Sequence, residues 1–161
     1  MNDKFQVIYK SNGNVGSYGP AVIERIKTFC EAYDSDVKPD DFAAHLMEQM
    51  TSDTPYTLVI AGVDNGNVFG HLVASIERFY GGDPLLMILQ IEIDEEWEGE
   101  RKSLYDTAFP IILEWATQLG CKKIRVWARN HDVGEKFIER FDFVDTQRML
   151  LERDIEGLQS V

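Results

Sequence analysis

A chain of 161 residues carrying 28 acidic against 16 basic side chains, net −12, is a poor ligand for another polyanion. Its charge argues against non-specific binding to nucleic acid or to an anionic membrane. At 44% hydrophobic and 27% charged it has the make-up of an ordinary globular protein, with enough length for one core without disulfides or metals.

Phe5–Tyr9 reads as a short strand rich in β-formers, followed by the breakers Gly13, Gly16 and Gly19. Pro20 sits where a helix tolerates proline, in the first turn. Val22, Ile23, Ile26, Phe29 and Cys30 then recur on one helical face, predicting a helix over Ala21–Tyr33. A second helix opens at Lys38-Pro39-Asp40-Asp41, with Phe42, Ala43, Leu46, Met47 and Met50 as its stripe. Three strands are expected next. Tyr56–Val63 ends at the hairpin turn Asp64-Asn65-Gly66-Asn67, and Val68–Phe79 returns antiparallel. After the Gly81–Pro84 turn, Leu85–Ile93 is apolar nearly throughout, as a central strand should be.

The charged stretch Glu95–Lys102 leads to Ser103, placed to cap a long helix running to Gln118. Leu104, Ala108, Ile111, Ile112, Trp115, Ala116 and Leu119 form its buried stripe, Pro110 is expected to kink it, and Gly120 stops it. Lys123–Ala128 is a strand, Gly134–Phe141 a short helix, and Phe143–Asp154 contains a last strand or hairpin. The order β-α-α-β-β-β-α-β-α-β implies a mixed sheet in one domain spanning residues 1–161. An antiparallel meander feeds a strand–helix–strand crossover that makes the fourth and fifth strands parallel neighbours.

Cys30 and Cys121 are far apart, and with His45, His71 and His131 they form no metal-ligand spacing. A reduced, cytoplasmic setting fits this cysteine usage. Met1–Lys4 shows no secretory leader, and the longest apolar run, Leu85–Leu89, is too short to span a membrane. Alternation in the fourth strand puts Leu89, Ile91 and Ile93 on one face and Gln90, Glu92 and Asp94 on the other. His71 reads as a satisfied sheet residue, and Trp97, Trp115 and Trp127 as core or rim aromatics.

Several stretches resemble the GNAT acyl-CoA N-acyltransferases along almost the whole chain. Val68-Phe69-Gly70-His71-Leu72-Val73 is similar to the family's third strand, and Leu89–Ile93 with Trp97-Glu98-Gly99 to its fourth strand and the aromatic before its glycine-rich loop. Glu114–Ile124 resembles the end of the family's long helix and the start of its fifth strand. Phe137–Phe143 resembles its fourth-helix motif, with Ile138 where a general-acid tyrosine is usual.

The resemblance implies an α/β (α+β) fold: a mixed, mostly antiparallel sheet flanked by helices, with a fourth and fifth strand that splay apart around acetyl-CoA. The implied activity is acetyl transfer to the amine of a small molecule or protein. The implied CoA contacts are Ile91 and Ile93 on the strand, then Glu98, Gly99, Arg101, Lys102 and Ser103 around the loop, and Asn130. Glu92 is the implied base and His131 a second acid–base candidate.

The loop departs from the family pattern. Glu98 stands for Gln or Arg, and Arg101 for the first glycine, in the register that keeps Trp97 before the loop. A second register places Ser103 and Tyr105 at the glycine positions. A non-catalytic role on the same scaffold, as a binding protein, a homodimer or part of an assembly, is the alternative these departures leave open.

Overall fold

The computed structural model describes residues 5–9, 18–33, 36–50, 56–78, 82–126 and 131–147. These form two compact units, residues 1–126 and 127–161. In the first, five strands lie in the order β1-β2-β3-β4-β5: Phe5–Tyr9, Thr57–Asp64, Asn67–Glu77, Leu85–Ile93 and Lys123–Val126. β1 to β4 pair antiparallel and β4 pairs with β5 parallel, as the crossover required. Its helices are α1 (Gly19–Tyr33), α2 (Pro39–Met50) and α3 (Arg101–Gln118), the last joining β4 to β5.

The β2–β3 hairpin turns at Asn65 and Gly66, with φ of 48° and 82°. Both occupy the left-handed region that a two-residue turn demands, which Asn and Gly adopt at least cost. Period-two alternation then divides the sheet. Val59, Ala61, Val63 and Val73 pack with Val22 and Ile26 of α1 and Leu46 of α2. The intervening Leu58, Ile60 and Leu72 are buried on the opposite face. α3 packs against β1, β2 and β4 through buried Leu104, Tyr105, Ala108, Ile112, Trp115 and Ala116.

Three expectations need correction. α3 begins at Arg101, so Ser103 is its third residue and not its cap; the cap position is Glu100, whose side chain makes no capping bond. Glu95–Glu100 is a 3-10 helix running straight into α3. Leu119 is exposed because it lies past the last helical residue, while Tyr105, absent from the expected stripe, is buried. α3 runs unbroken through Pro110.

In the second unit, α4 (His131–Phe141) starts three residues earlier than the glycine at 134 suggested. Its buried Phe137 meets Phe141 and Phe143 at ring separations of 5.9 and 5.1 Å. Residues 142–147 form no strand, and the remainder of the expected Phe143–Asp154 element lies outside the described residues, as do Phe79, Trp127 and Ala128.

Trp115 is buried as its place on the stripe requires. Trp115→Ala should cost ~3–5 kcal/mol, the usual penalty for emptying a buried aromatic site. A urea melt within ~0.5 kcal/mol of wild type would show that this face of α3 does not carry the core.

Candidate functional site

β4 contains one residue too many for its partner. Val73 pairs with Gln90 and Ala74 with Ile88, so Leu89 has no counterpart on β3. This is a β-bulge, and Leu89 is 40% exposed in an otherwise buried run. Among the described residues the parallel pairing of β4 with β5 covers Leu85–Ile88 and stops at Ile88↔Val126. The bulge therefore follows directly on the last described β4–β5 pair. Beyond it, Ile91 pairs with Leu72 and is half-buried, while Ile93 is buried against Gly70.

The bulge directs Gln90, Glu92 and Asp94 to the α1 side. Arg25 of α1 donates through Nη1 to Asp94 Oδ1 at 2.7 Å. Its Nη2 reaches Glu92 Oε1 and the Phe69 carbonyl, each at 3.5 Å. Side-chain exposure rises outward across the cluster, from 16% at Arg25 through 26% at Glu92 to 36% at Asp94. Two carboxylates face one guanidinium, and Glu92 has the looser partner.

Deeper on the same face, Gln90 Nε2 donates to Cys30 Sγ at 3.2 Å, which turns Gln90 Oε1 toward His71 Nε2 at 2.9 Å. His71 Nε2 must then be the donor, leaving Nδ1 as a bare acceptor. His71 is fully buried, with the Phe29 ring edge-on at 5.9 Å. Burial pushes its imidazole down to about 4; the Arg25 charge lowers it further, while the Gln90 bond and Asp94 work the other way. The ring is neutral at pH 7.

The sheet end of this cluster is fixed by two close approaches. A Cβ on Gly62 would lie 2.7 Å from the Phe69 ring, and one on Gly70 would lie 2.9 Å from the Glu92 carbonyl oxygen. Phe69 stacks on Trp97 at 4.6 Å and 17°. Asp94 N–H donates to the Phe69 carbonyl and Trp97 N–H to the Asp94 carbonyl, each at 2.8 Å. The aromatic expected before the loop thus pins the start of the 3-10 helix to β3.

The loop residues are where the expectation changes most. Glu98 and Gly99 lie in the 3-10 helix, and Arg101, Lys102 and Ser103 in the first turn of α3. A Cβ on Gly99 would meet nothing within 4 Å, so no close approach requires glycine there. Arg101 donates through Nε and Nη2 to the two Glu98 oxygens at 2.5 and 2.8 Å, and through Nη1 to Tyr105 Oη at 3.4 Å. That partnership, with Glu98 first, holds the guanidinium more firmly protonated than usual. The Arg101 N–H is itself bonded to the Glu98 carbonyl.

His131 is the first residue of α4, in the second unit, and Asn130 lies outside the described residues. Arg25 and the Phe69–Trp97 stack were not anticipated. Arg25 had a readable signal: it stands three residues after Val22 and four before Phe29, a charge on the apolar stripe. Among the described residues no group of three or more His, Cys, Asp or Glu is placed to hold a metal ion. Nor is any helix among them long and apolar enough to cross a membrane.

The chain superposes on solved acetyltransferase structures over most of its length. AAC(6')-Iy, in complex with the bisubstrate analog CoA-S-monomethyl-acetylneamine, superposes with a TM-score of 0.63 over 93% of this chain and 96% of that one, at 15% identity. The aminoglycoside acetyltransferase meta-AAC0020, from an uncultured soil metagenomic sample, gives 0.66 over 96% and 99%, at 14% identity. A ribosomal-protein-alanine N-acetyltransferase from Brucella melitensis biovar Abortus 2308 gives 0.60 over 93% and 99%, at 12% identity. The chain has the GNAT fold. No family sequence profile matches it, and no curated protein sequence does. The likeness to GNAT proteins lies in the path of the backbone.

The buried imidazole makes a testable statement about pH. Its folded pKa is below the unfolded value of 6.5, so the unfolded chain binds more protons between pH 6.5 and about 4. The stability from keeping His71 neutral is present above pH 6.5 and is lost as pH falls through 4, on the order of 3 kcal/mol in all. In an NMR titration the His71 ring should stay neutral down to pH ~5. A midpoint near 6.5 would show that the ring is not sealed between α1 and the sheet.

Proposed function

We propose that the chain is an N-acyltransferase that moves an acetyl group from acetyl-CoA to the amine of an acceptor. The observation that carries this reading is the bulge at Leu89, one residue past the last described β4–β5 pair. A strand edge that leaves its neighbour beyond this point would offer backbone N–H and C=O groups to the amides of the pantetheine arm, alongside Ile91 and Ile93. A β4 N–H at that edge would polarise the thioester carbonyl. The acceptor amine enters from the α1 side, where Glu92, the anion with the looser partner, takes its proton. The C–N bond forms as the C–S bond breaks, and the CoA sulfur leaves as the thiol. His131 is the second proposed acid–base group and Asn130 a proposed CoA contact.

The pyrophosphate would meet the start of α3, with Gly99, Lys102 and Ser103 beside it and the helix dipole favouring its charge. Arg101 would have to exchange Glu98 for phosphate. CoA binding is therefore weak in this reading, and Glu98 is the residue that weakens it. Glu98→Gln should tighten CoA binding roughly two- to tenfold, by freeing Arg101 and removing one nearby negative charge; Arg101→Ala should weaken it. Calorimetry with CoA reads both effects.

A second reading, a non-catalytic GNAT scaffold serving as a binding protein, a homodimer or part of an assembly, draws on the same stretch. A 3-10 helix bearing Glu95, Glu96, Glu98 and Glu100 stands where a glycine-rich phosphate loop was expected. If neither wild type nor Glu98→Gln with Arg101→Gly binds CoA at millimolar concentration, this reading replaces the first. If CoA binds, Glu92→Gln should lower the rate of amine acetylation by ~10²–10⁴-fold while leaving CoA affinity unchanged. Full activity in that variant would remove Glu92 from the mechanism.

A further inference from the structure

Glu92 and Asp94 stand two residues apart on one face of β4, which puts their Cα atoms about 7 Å from each other. Two carboxylates that close disfavour each other's charge unless a cation lies between them. Arg25 supplies that cation, and it divides itself unevenly. Nη1 takes Asp94 Oδ1 at 2.7 Å, while Nη2 is shared between Glu92 Oε1 and the Phe69 carbonyl at 3.5 Å each.

Asp94 is also committed through its backbone. Its N–H donates to the Phe69 carbonyl and its own carbonyl accepts from Trp97, each at 2.8 Å. It occupies the N-cap position of the Glu95–Glu100 3-10 helix, where an aspartate ordinarily bonds a free helix N–H, yet its side chain makes no capping bond. The carboxylate is turned to Arg25 instead. Glu92 carries fewer commitments. Its side chain is 26% exposed, and among the described residues Arg25 is its hydrogen-bond partner, through Oε1.

We propose that Arg25 is a positioning residue that divides the labour of the two carboxylates: it neutralises Asp94 as the structural anion and leaves Glu92 as the one that takes a proton from the acceptor amine. Arg25 touches neither amine nor CoA in this scheme; it acts through Glu92. The role rests on the acyltransferase reading, in which Glu92 is the base. The groups that face Glu92 are Arg25 from α1, Asp94 along β4 and His71 opposite on β3, the last neutral above its pKa of about 4. The neighbouring α1 charges Glu24 and Lys27 are engaged with each other, and Lys27 also with Asp40 of α2.

The test uses the full chain. The side-chain carboxyl resonances of Glu92 and Asp94 are followed by NMR through a pH titration without CoA, in wild type, Arg25→Met, Arg25→Lys and Asp94→Asn, with thermal melts to confirm folding. In Arg25→Met both midpoints should rise by roughly one pH unit, the scale on which a neighbouring guanidinium acts on a carboxylate. Arg25→Lys keeps a cation on Asp94 and should hold back most of that rise. In Asp94→Asn the Glu92 midpoint should fall, because Glu92 loses a like charge and gains the whole of Arg25. Acetylation of neamine by acetyl-CoA is measured over the same pH range. The acidic limb of kcat/KM should move up by about one unit in Arg25→Met and down in Asp94→Asn, with KM for acetyl-CoA unchanged.

A Glu92 midpoint that ignores Arg25→Met, or that rises in Asp94→Asn, overturns the proposal. If Arg25→Met does not fold, Asp94→Asn decides alone. A limb that stays in place while the Glu92 resonance moves also overturns it, since Glu92 is then not the group that takes the proton. Failure of CoA to bind in calorimetry fells the acyltransferase reading instead, and where neamine is not acetylated the resonances decide whether Arg25 divides the pair.

Discussion

The direction in which Glu92 points is decided by one unpaired residue three positions upstream. In a regular strand, Ile88 and Gln90 would share a face. Ile88 lies opposite Ala74 and Gln90 opposite Val73, and Ala74 and Val73 face opposite sides of the sheet. Leu89 absorbs the difference. Without it, Gln90, Glu92 and Asp94 would turn to the α3 side, where the sheet meets Leu104, Ala108 and Ile112. Carboxylates in that apolar layer would have no counter-charge. With it, they meet Arg25. One bulge thus orients the acidic cluster.

The start of α3 follows a second constraint. A helix N-terminus carries partial positive charge and unsatisfied N–H groups. A glycine-rich loop leaves both for a phosphate. Here the chain meets them itself: Glu95, Glu96, Glu98 and Glu100 precede the helix, the Glu98 carbonyl takes the Arg101 N–H, and the Glu98 carboxylate takes the Arg101 guanidinium. Arg101 also touches Tyr105 one turn on, so the ion pair is backed by a buried ring. The acidic run is a helix start that has internalised its counter-ions, and any external anion competes with them.

Much of the frame was legible in the residues. β4 was read with its observed bounds, and β1, β2 and β3 to within two residues, because alternation and the Asp64–Asn67 turn leave little freedom. The parallel β4–β5 pair followed from a helix between two strands. The helical start at Glu95 was not legible, since glutamates and one glycine carry no period; what ordered them was a tertiary contact, Trp97 on Phe69. The alternation of Gln90, Glu92 and Asp94 was read correctly, but the face they took depended on the bulge. Nothing in a run of Leu, Met and Ile marks one residue as extra. Gln90 and Glu92, the polar residues in that strand, were the sign that this face carries more than core.

Arg25 would be an expensive residue on an apolar stripe if it were only structural. A partly buried guanidinium costs several kcal/mol in desolvation, which good hydrogen bonds must offset. Its geometry offsets that unevenly, with one short bond to Asp94, two long ones and an empty Nε. His71 is in the same position, sealed and neutral with one nitrogen served. A hydrophobic pair at these positions would pack the seam at lower cost, as β2 and β3 do with Val59, Ala61 and Val73 on the same face of the sheet. Local stability alone does not account for a charged residue and an imidazole that each leave one buried polar atom unmet.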